Sequence, residues 1–202
     1  VDKVTQFQAI AAVERMTERF LIPALEAMIA TFPFHIQGFH ADNGSEYVNH
    51  QIARLLNKLN IEFTNSRPRH SNDNALAECK NAAVVREHLG YAHIFTRAAQ
   101  AVNAFTLSYL VPYVNFHRSC FFPLTVIDKK GRQHKRYPFD QMMMPCDKLR
   151  WLRHAQQFLR PGTTLDTLDA TARKMSNNEA ATQMNQARTK LFASIHKQTK
   201  AA

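Results

Sequence analysis

Apolar positions first fall into a helical rhythm over residues 15–30, where Met16, Phe20, Leu21, Leu25, Met28 and Ile29 recur at three- and four-residue intervals. Ahead of them, residues 4–13 read as a strand entered through a turn. Pro33 ends the helical pattern. The short run from His35 to His40 is a strand, halted by Ala41-Asp42-Asn43-Gly44-Ser45. That halt is a tight-turn signal, because Asn and Gly accept positive φ. Asn49 is a candidate N-cap for a helix carrying Ile52, Leu55, Leu56 and Leu59. A second short strand follows at 61–64, then a polar loop to Asn74 and a helix from Ala75 to Leu89 closed by Gly90. Residues 97–116 form another apolar helix, which Pro112 kinks or partly ends. Past Arg118 the rhythm changes to a basic segment, broken at Pro161-Gly162, and then to a polar, helix-prone tail. The pattern predicts an α/β core over 1–118 and a basic, mostly helical extension over 119–202.

Composition narrows the class. With 45% hydrophobic and 21% charged residues in 202, the chain can bury a core and is not of the disordered type. It has no apolar run of the roughly 18 residues that a membrane span needs. Asp2, Lys3, Glu14 and Arg15 interrupt anything like a signal peptide. Cys79, Cys120 and Cys146 lack a C-x-x-C pair and read as reduced thiols of a cytoplasmic protein. His88, His93, His117 and Cys120 lack the usual spacing of zinc ligands, and Met142-Met143-Met144 reads as a packing or loop feature. The balance of 26 Lys and Arg against 16 acids gives +10, a field that favours polyanionic partners. Nine of those cations, against two Asp, fall in residues 129–160, with Tyr137 and Trp151 interleaved.

Two acids stand where chemistry can use them. Asp42 follows an apolar strand and precedes a Gly turn, and Glu78 lies in the first turn of a helix behind a polar loop. Thirty-five residues separate them, room for one helix, one strand and one loop, so the chain can return and bring both carboxylates together. Converging carboxylates on rigid elements suit a divalent metal that keeps positions open for water and phosphate oxygens. Each acid also has an ordinary structural reading, Asp42 as a turn residue and Glu78 as a complement to the helix dipole.

The run Phe39-His-Ala-Asp42-Asn43-Gly44-Ser45-Glu46-Tyr47 resembles the D-N-G-[ST]-[EQ]-[FY] strand end of retroviral-type integrases and related bacterial insertion-element transposases. The stretch from Ile61 through Arg67-Pro68-Arg69-His70 to Ala-Leu-Ala-Glu78-Cys-Lys80-Asn81 is similar to that family's strand, loop and third-acid helix, at the same 35-residue spacing. The resemblance implies an RNase H-like fold, a mixed sheet flanked by helices. It further implies a site for two Mg²⁺ or Mn²⁺ ions on Asp42 and Glu78, and DNA end cleavage and strand transfer without a covalent intermediate. Arg67, Arg69, His70, Lys80 and Asn81 become candidates for nucleic-acid contact, through charge that carries affinity but no base specificity. The partners implied are transposon ends and target DNA, with a homo-oligomer assembled on them. The place implied is the bacterial cytoplasm, on the nucleoid when DNA is bound.

The family carries a further Asp on its first, central strand. Asp2 is the tempting candidate, yet only residues 3–14 lie between it and the first helix, too few for two antiparallel strands of about five or six residues each with their turns. The expectation is therefore an N-terminally truncated core that lacks strand one and has little or no activity alone. The other reading is a non-catalytic DNA-binding or assembly protein of the same descent.

Overall fold

The computed structural model describes residues 1–41, 46–65 and 75–200. They form a mixed α/β body of helices and three two-stranded ladders. Helix α1 (Glu18–Thr31) leads to strand β1 (Gly38–Ala41), helix α2 (Glu46–Lys58) and strand β2 (Glu62–Asn65). The next helix, α3, spans residues 75–89, with a π-helical stretch at Asn81–Arg86 between two α-helical ends. Helix α4 spans residues 96–117. Strands β3 (Cys120–Phe121), β4 (Leu124–Ile127), β5 (Gln133–Arg136) and β6 (Met142–Met143) come next. Helices α5 (Pro145–Trp151), α6 (Leu165–Ala172) and α7 (Asn177–Lys200) complete the order.

Most predicted elements stand within a few residues of their expected bounds, and the differences have identifiable causes. Helix α2 begins at Glu46, so Asn49 lies inside it and is not its cap. Helix α4 runs through Pro112, which cannot donate to the preceding turn. Wide π-helical stretches on either side, Thr106–Leu110 and Tyr113–His117, take up the mismatch. The region after Arg118 is helical only from Pro145; before that it is built from β3–β6, whose short strands the charge of the segment obscured.

Residues 4–13 form no strand and join no ladder among the described residues, contrary to the predicted strand. Their start is a turn: the Asp2 carboxylate accepts from the Val4 and Thr5 N–H groups and the Thr5 hydroxyl, while the Asp2 N–H donates to Phe7 O. Gln6, at φ 56°, sits in the left-handed region there. Beyond the turn, helix α4 takes the place of a neighbouring strand. Asn115 Oδ1 accepts from Gln8 N–H at 2.9 Å and its Nδ2 donates to Gln8 O at 2.8 Å. Asn103 does the same for Ala12, at 2.6 and 2.9 Å. Each side-chain amide thus imitates one residue of an antiparallel ladder, which satisfies buried backbone groups that would otherwise cost stability.

Three apolar clusters organise the body. One covers the α1–β1–α2–β2 unit with Leu25, Ile29, Ile52, Leu55, Leu56 and Ile61. A second gathers Phe7, Phe32 and Phe34 around Leu149, Leu159 and Leu168, with ring centroids 5.6–6.1 Å apart among the three Phe. The third joins Val84 and Leu89 of α3 to Val102, Phe105 and Val114 of α4 and to Met184, Leu191 and Ile195 of α7. Both of the last two draw on residues from either side of Arg118. Arg160 fastens the second to the first: its guanidinium donates to Ile29 O at the end of α1 and to Phe34 O.

His88 is buried at the end of α3. Its Nδ1 lies 2.7 Å from Val84 O, so that nitrogen carries the proton, since a carbonyl only accepts. Its ring meets Tyr113 at 6.2 Å. Burial lowers its pKa from the usual 6.5, aided by the Arg118 and Arg188 charges and opposed by the Val84 carbonyl and Glu87. A depressed folded pKa means that the unfolded chain takes up a proton the folded one refuses. The stability His88 secures is complete above about pH 6.5 and is lost as pH falls below that value. The urea midpoint should therefore drop between pH 7.5 and 5.5, and His88→Gln should flatten that drop; an equal slope in both proteins would contradict this placement.

Candidate metal and nucleic-acid site

The pair β1 and β2 is parallel, with Gly38 opposite Glu62 and Ala41 opposite Asn65. Helix α2 makes the crossover, its Ile52, Leu55 and Leu56 buried against α1 and the strands. The Cα register is reinforced at its exposed end, where His40 Nδ1 and the Thr64 hydroxyl are 2.9 Å apart. Both strands therefore end level, at their carboxyl edge, where open α/β sheets place ligands. Asp42 is the next residue after β1, and the nine residues 66–74 leave β2 from that same edge to reach α3. Asp42, Arg67, Arg69 and His70 themselves lie outside the described residues.

Glu78 is in the first turn of α3, whose Ala75, Ala77, Ala82 and Ala83 favour helix. Val84, His88 and Leu89 are buried in the core, whereas Glu78 and Asn81 are exposed. The Glu78 carboxylate makes no ion pair or side-chain hydrogen bond among the described residues, and it is a hard oxygen donor of the kind Mg²⁺ or Mn²⁺ takes. Asp2 is the opposite case: its turn already occupies its carboxylate with three donors. Among the described residues no three His, Cys, Asp or Glu side chains come together as a metal site.

Lys80 is half-buried and points its charge at Cys120. Burial raises that thiol above its usual range, against the pull of Lys80 and Arg118. Asn81 opens the π-helical stretch, one turn beyond Glu78. Arg118 is a further residue here that sequence reasoning missed. Its guanidinium donates to Ala83 O within the π stretch and pairs with Glu87 at 2.9 Å, holding the widened turn of the helix that carries Glu78. No local pattern marks a contact across 35 residues. The remaining candidate zinc ligands diverge: His117 Nδ1 lies 3.2 Å from Asn177 Oδ1, and His93 packs on Phe95.

Residues 1–71 match the family model described as integrase core domain. The matched span takes in the α1–β1–α2–β2 unit and Asp42, and ends before α3 and Glu78. An uncharacterized protein of Sinorhizobium fredii, y4rM, is 30% identical over 131 residues, 65% of this chain. The chain spans about a third of that relative's length, 36%. No solved structure matches the chain. Proteins of the matched family bind DNA and are generally metal-dependent. No helix among the described residues is long and apolar enough to cross a membrane.

Proposed function

We propose that the chain is the RNase H-like core of a DDE-type transposase or integrase, in which Asp42 and Glu78 bind Mg²⁺ or Mn²⁺ for phosphoryl transfer on DNA. The observation that carries this reading is the level carboxyl edge of the β1–β2 pair, followed at once in the chain by Asp42 and, after one loop, by the exposed Glu78 in the first turn of α3. When bound, the metal pair would polarise the scissile phosphate and lower the pKa of an attacking water or 3′-hydroxyl. The chain's own part is to hold the ions on Asp42 and Glu78 and the DNA strand on Arg67, Arg69, His70, Lys80 and Asn81, so that attack is in line.

A second reading is supported by the commitment of the Asp2 carboxylate to its turn: a non-catalytic protein that occupies DNA ends. Calorimetric titration with Mn²⁺ separates the two. A metal site on Asp42 and Glu78 gives binding that Asp42→Asn weakens; a pure binding module is indifferent to that change.

A further inference from the structure

Strands β4 and β5 pair only with each other, Leu124 opposite Arg136 and Ile127 opposite Gln133. Every side chain of β5 is exposed, as are Leu124, Thr125 and Ile127 of β4. The ribbon therefore projects from the body with both faces open. A two-stranded ribbon is marginal in water on its own, and this one leaves Ile127 63% and Tyr137 57% exposed. Its turn is nevertheless well defined. The Asp128 carboxylate accepts from the Lys130 and Arg132 N–H groups at 2.8 and 2.9 Å, and Gly131 supplies the positive φ of 77°.

Lys129, Lys130 and Arg132 crown this turn, with Lys135 on one face of the ribbon and Arg136 on the other. The only acid between residues 124 and 137 is Asp128, whose carboxylate serves the turn. None of the five cations enters an ion pair among the described residues. Cations elsewhere do: Arg118 with Glu87, and Arg150 and Arg173 with Asp169. Like charges crowded on a rigid tip without counter-charge complement a polyanion with closely spaced phosphates. A two-stranded ribbon also has the width that the major groove of B-form DNA admits, about 12 Å.

We propose that the 124–137 ribbon is a nucleic-acid contact in its own right, gripping the phosphates of duplex DNA with Lys129, Lys130 and Arg132 at its tip. The choice of DNA over other polyanions rests on the functional reading above; the contact does not depend on the metal site.

The test is fluorescence anisotropy of a labelled DNA duplex over a range of salt concentrations, using the whole chain. The tip variant K129A/K130A/R132A is compared with K174A/K190A/K197A, which removes the same charge from exposed positions on the last helix and the turn before it. The tip variant should bind about tenfold more weakly or worse, with a log–log salt slope flatter by about two to three, while the control shifts less than about threefold. Equal losses in the two variants would overturn the ribbon as a contact while leaving the DNA reading intact. Failure of the unaltered chain to bind DNA would overturn both. An RNA duplex of the same sequence, held more tightly than DNA through the tip, would overturn the assignment to DNA. Mn²⁺ titration without DNA reads the metal site separately.

Discussion

Asn115→Ala should lower the stability of the protein by about 3–4 kcal/mol, seen as a fall in the urea midpoint at unchanged slope. Asn115 is completely buried, and Gln8, whose backbone it pairs, is 4% exposed. Alanine strands two backbone groups at once, the Gln8 N–H and the Gln8 C=O, in a place water does not reach. Each unsatisfied group costs about 1–3 kcal/mol, and small domains hold only about 5–15 kcal/mol in all. The equivalent change at Asn103 should cost less, about 1–2 kcal/mol, because its contacts with Ala12 are only partly buried and water can take over. Asn115→Asp should not rescue: it keeps an acceptor for Gln8 N–H but faces Gln8 O with a second acceptor. If Asn115→Ala lay within about 1 kcal/mol of the unaltered protein, the side-chain ladder would be incidental.

The second large effect is expected at Glu78. Glu78→Gln keeps the size of the side chain and its exposed place on α3, so folding should be unaffected. It removes half the carboxylate charge proposed for the metals. Mn²⁺ affinity should fall by at least about tenfold, no less than a supporting residue costs at the low end of its range. Any Mn²⁺-supported nicking or joining of duplex DNA should fall to background, because the ions' stabilisation of attacking and leaving oxygens goes with them. Arg118→Ala offers an internal comparison. It loosens the π stretch without removing a ligand, so it should weaken metal binding far less than Glu78→Gln.

The parts of the fold that were legible in the sequence are those written in local pattern. Helix α1 shows in the spacing of Leu21, Leu25 and Ile29, and α3 in its Ala-rich run and terminal Gly90. Strands β1 and β2 show as short apolar runs between turn signals, and the Asp-Asn-Gly stop marked the edge where the candidate site lies. What was not legible depends on partners far away in the chain. Residues 4–13 have the alternation of a strand, and only Asn103 and Asn115, about a hundred residues on, decide that a helix takes the ladder's place. Arg118 is an ordinary surface Arg until Ala83 and Glu87 are brought to it. The β4–β5 ribbon was hidden by its charge, since exposure on both faces erases the apolar–polar alternation that reveals a strand. Asp2 is a related case: its carboxylate closes the 2–7 turn through three hydrogen bonds, a local role that strand counting does not reveal.

The central claim is that Asp42 and Glu78 share a metal, and Fe²⁺-directed cleavage tests it most directly. Fe²⁺ bound in place of Mg²⁺ and supplied with hydrogen peroxide and ascorbate generates hydroxyl radicals, which cut the polypeptide beside the ion. The expected result is cutting near both residue 42 and residue 78, suppressed by excess Mn²⁺ and lost in Asp42→Asn and Glu78→Gln alike. Cutting at only one of the two positions, or cutting that survives both substitutions, would contradict a shared site.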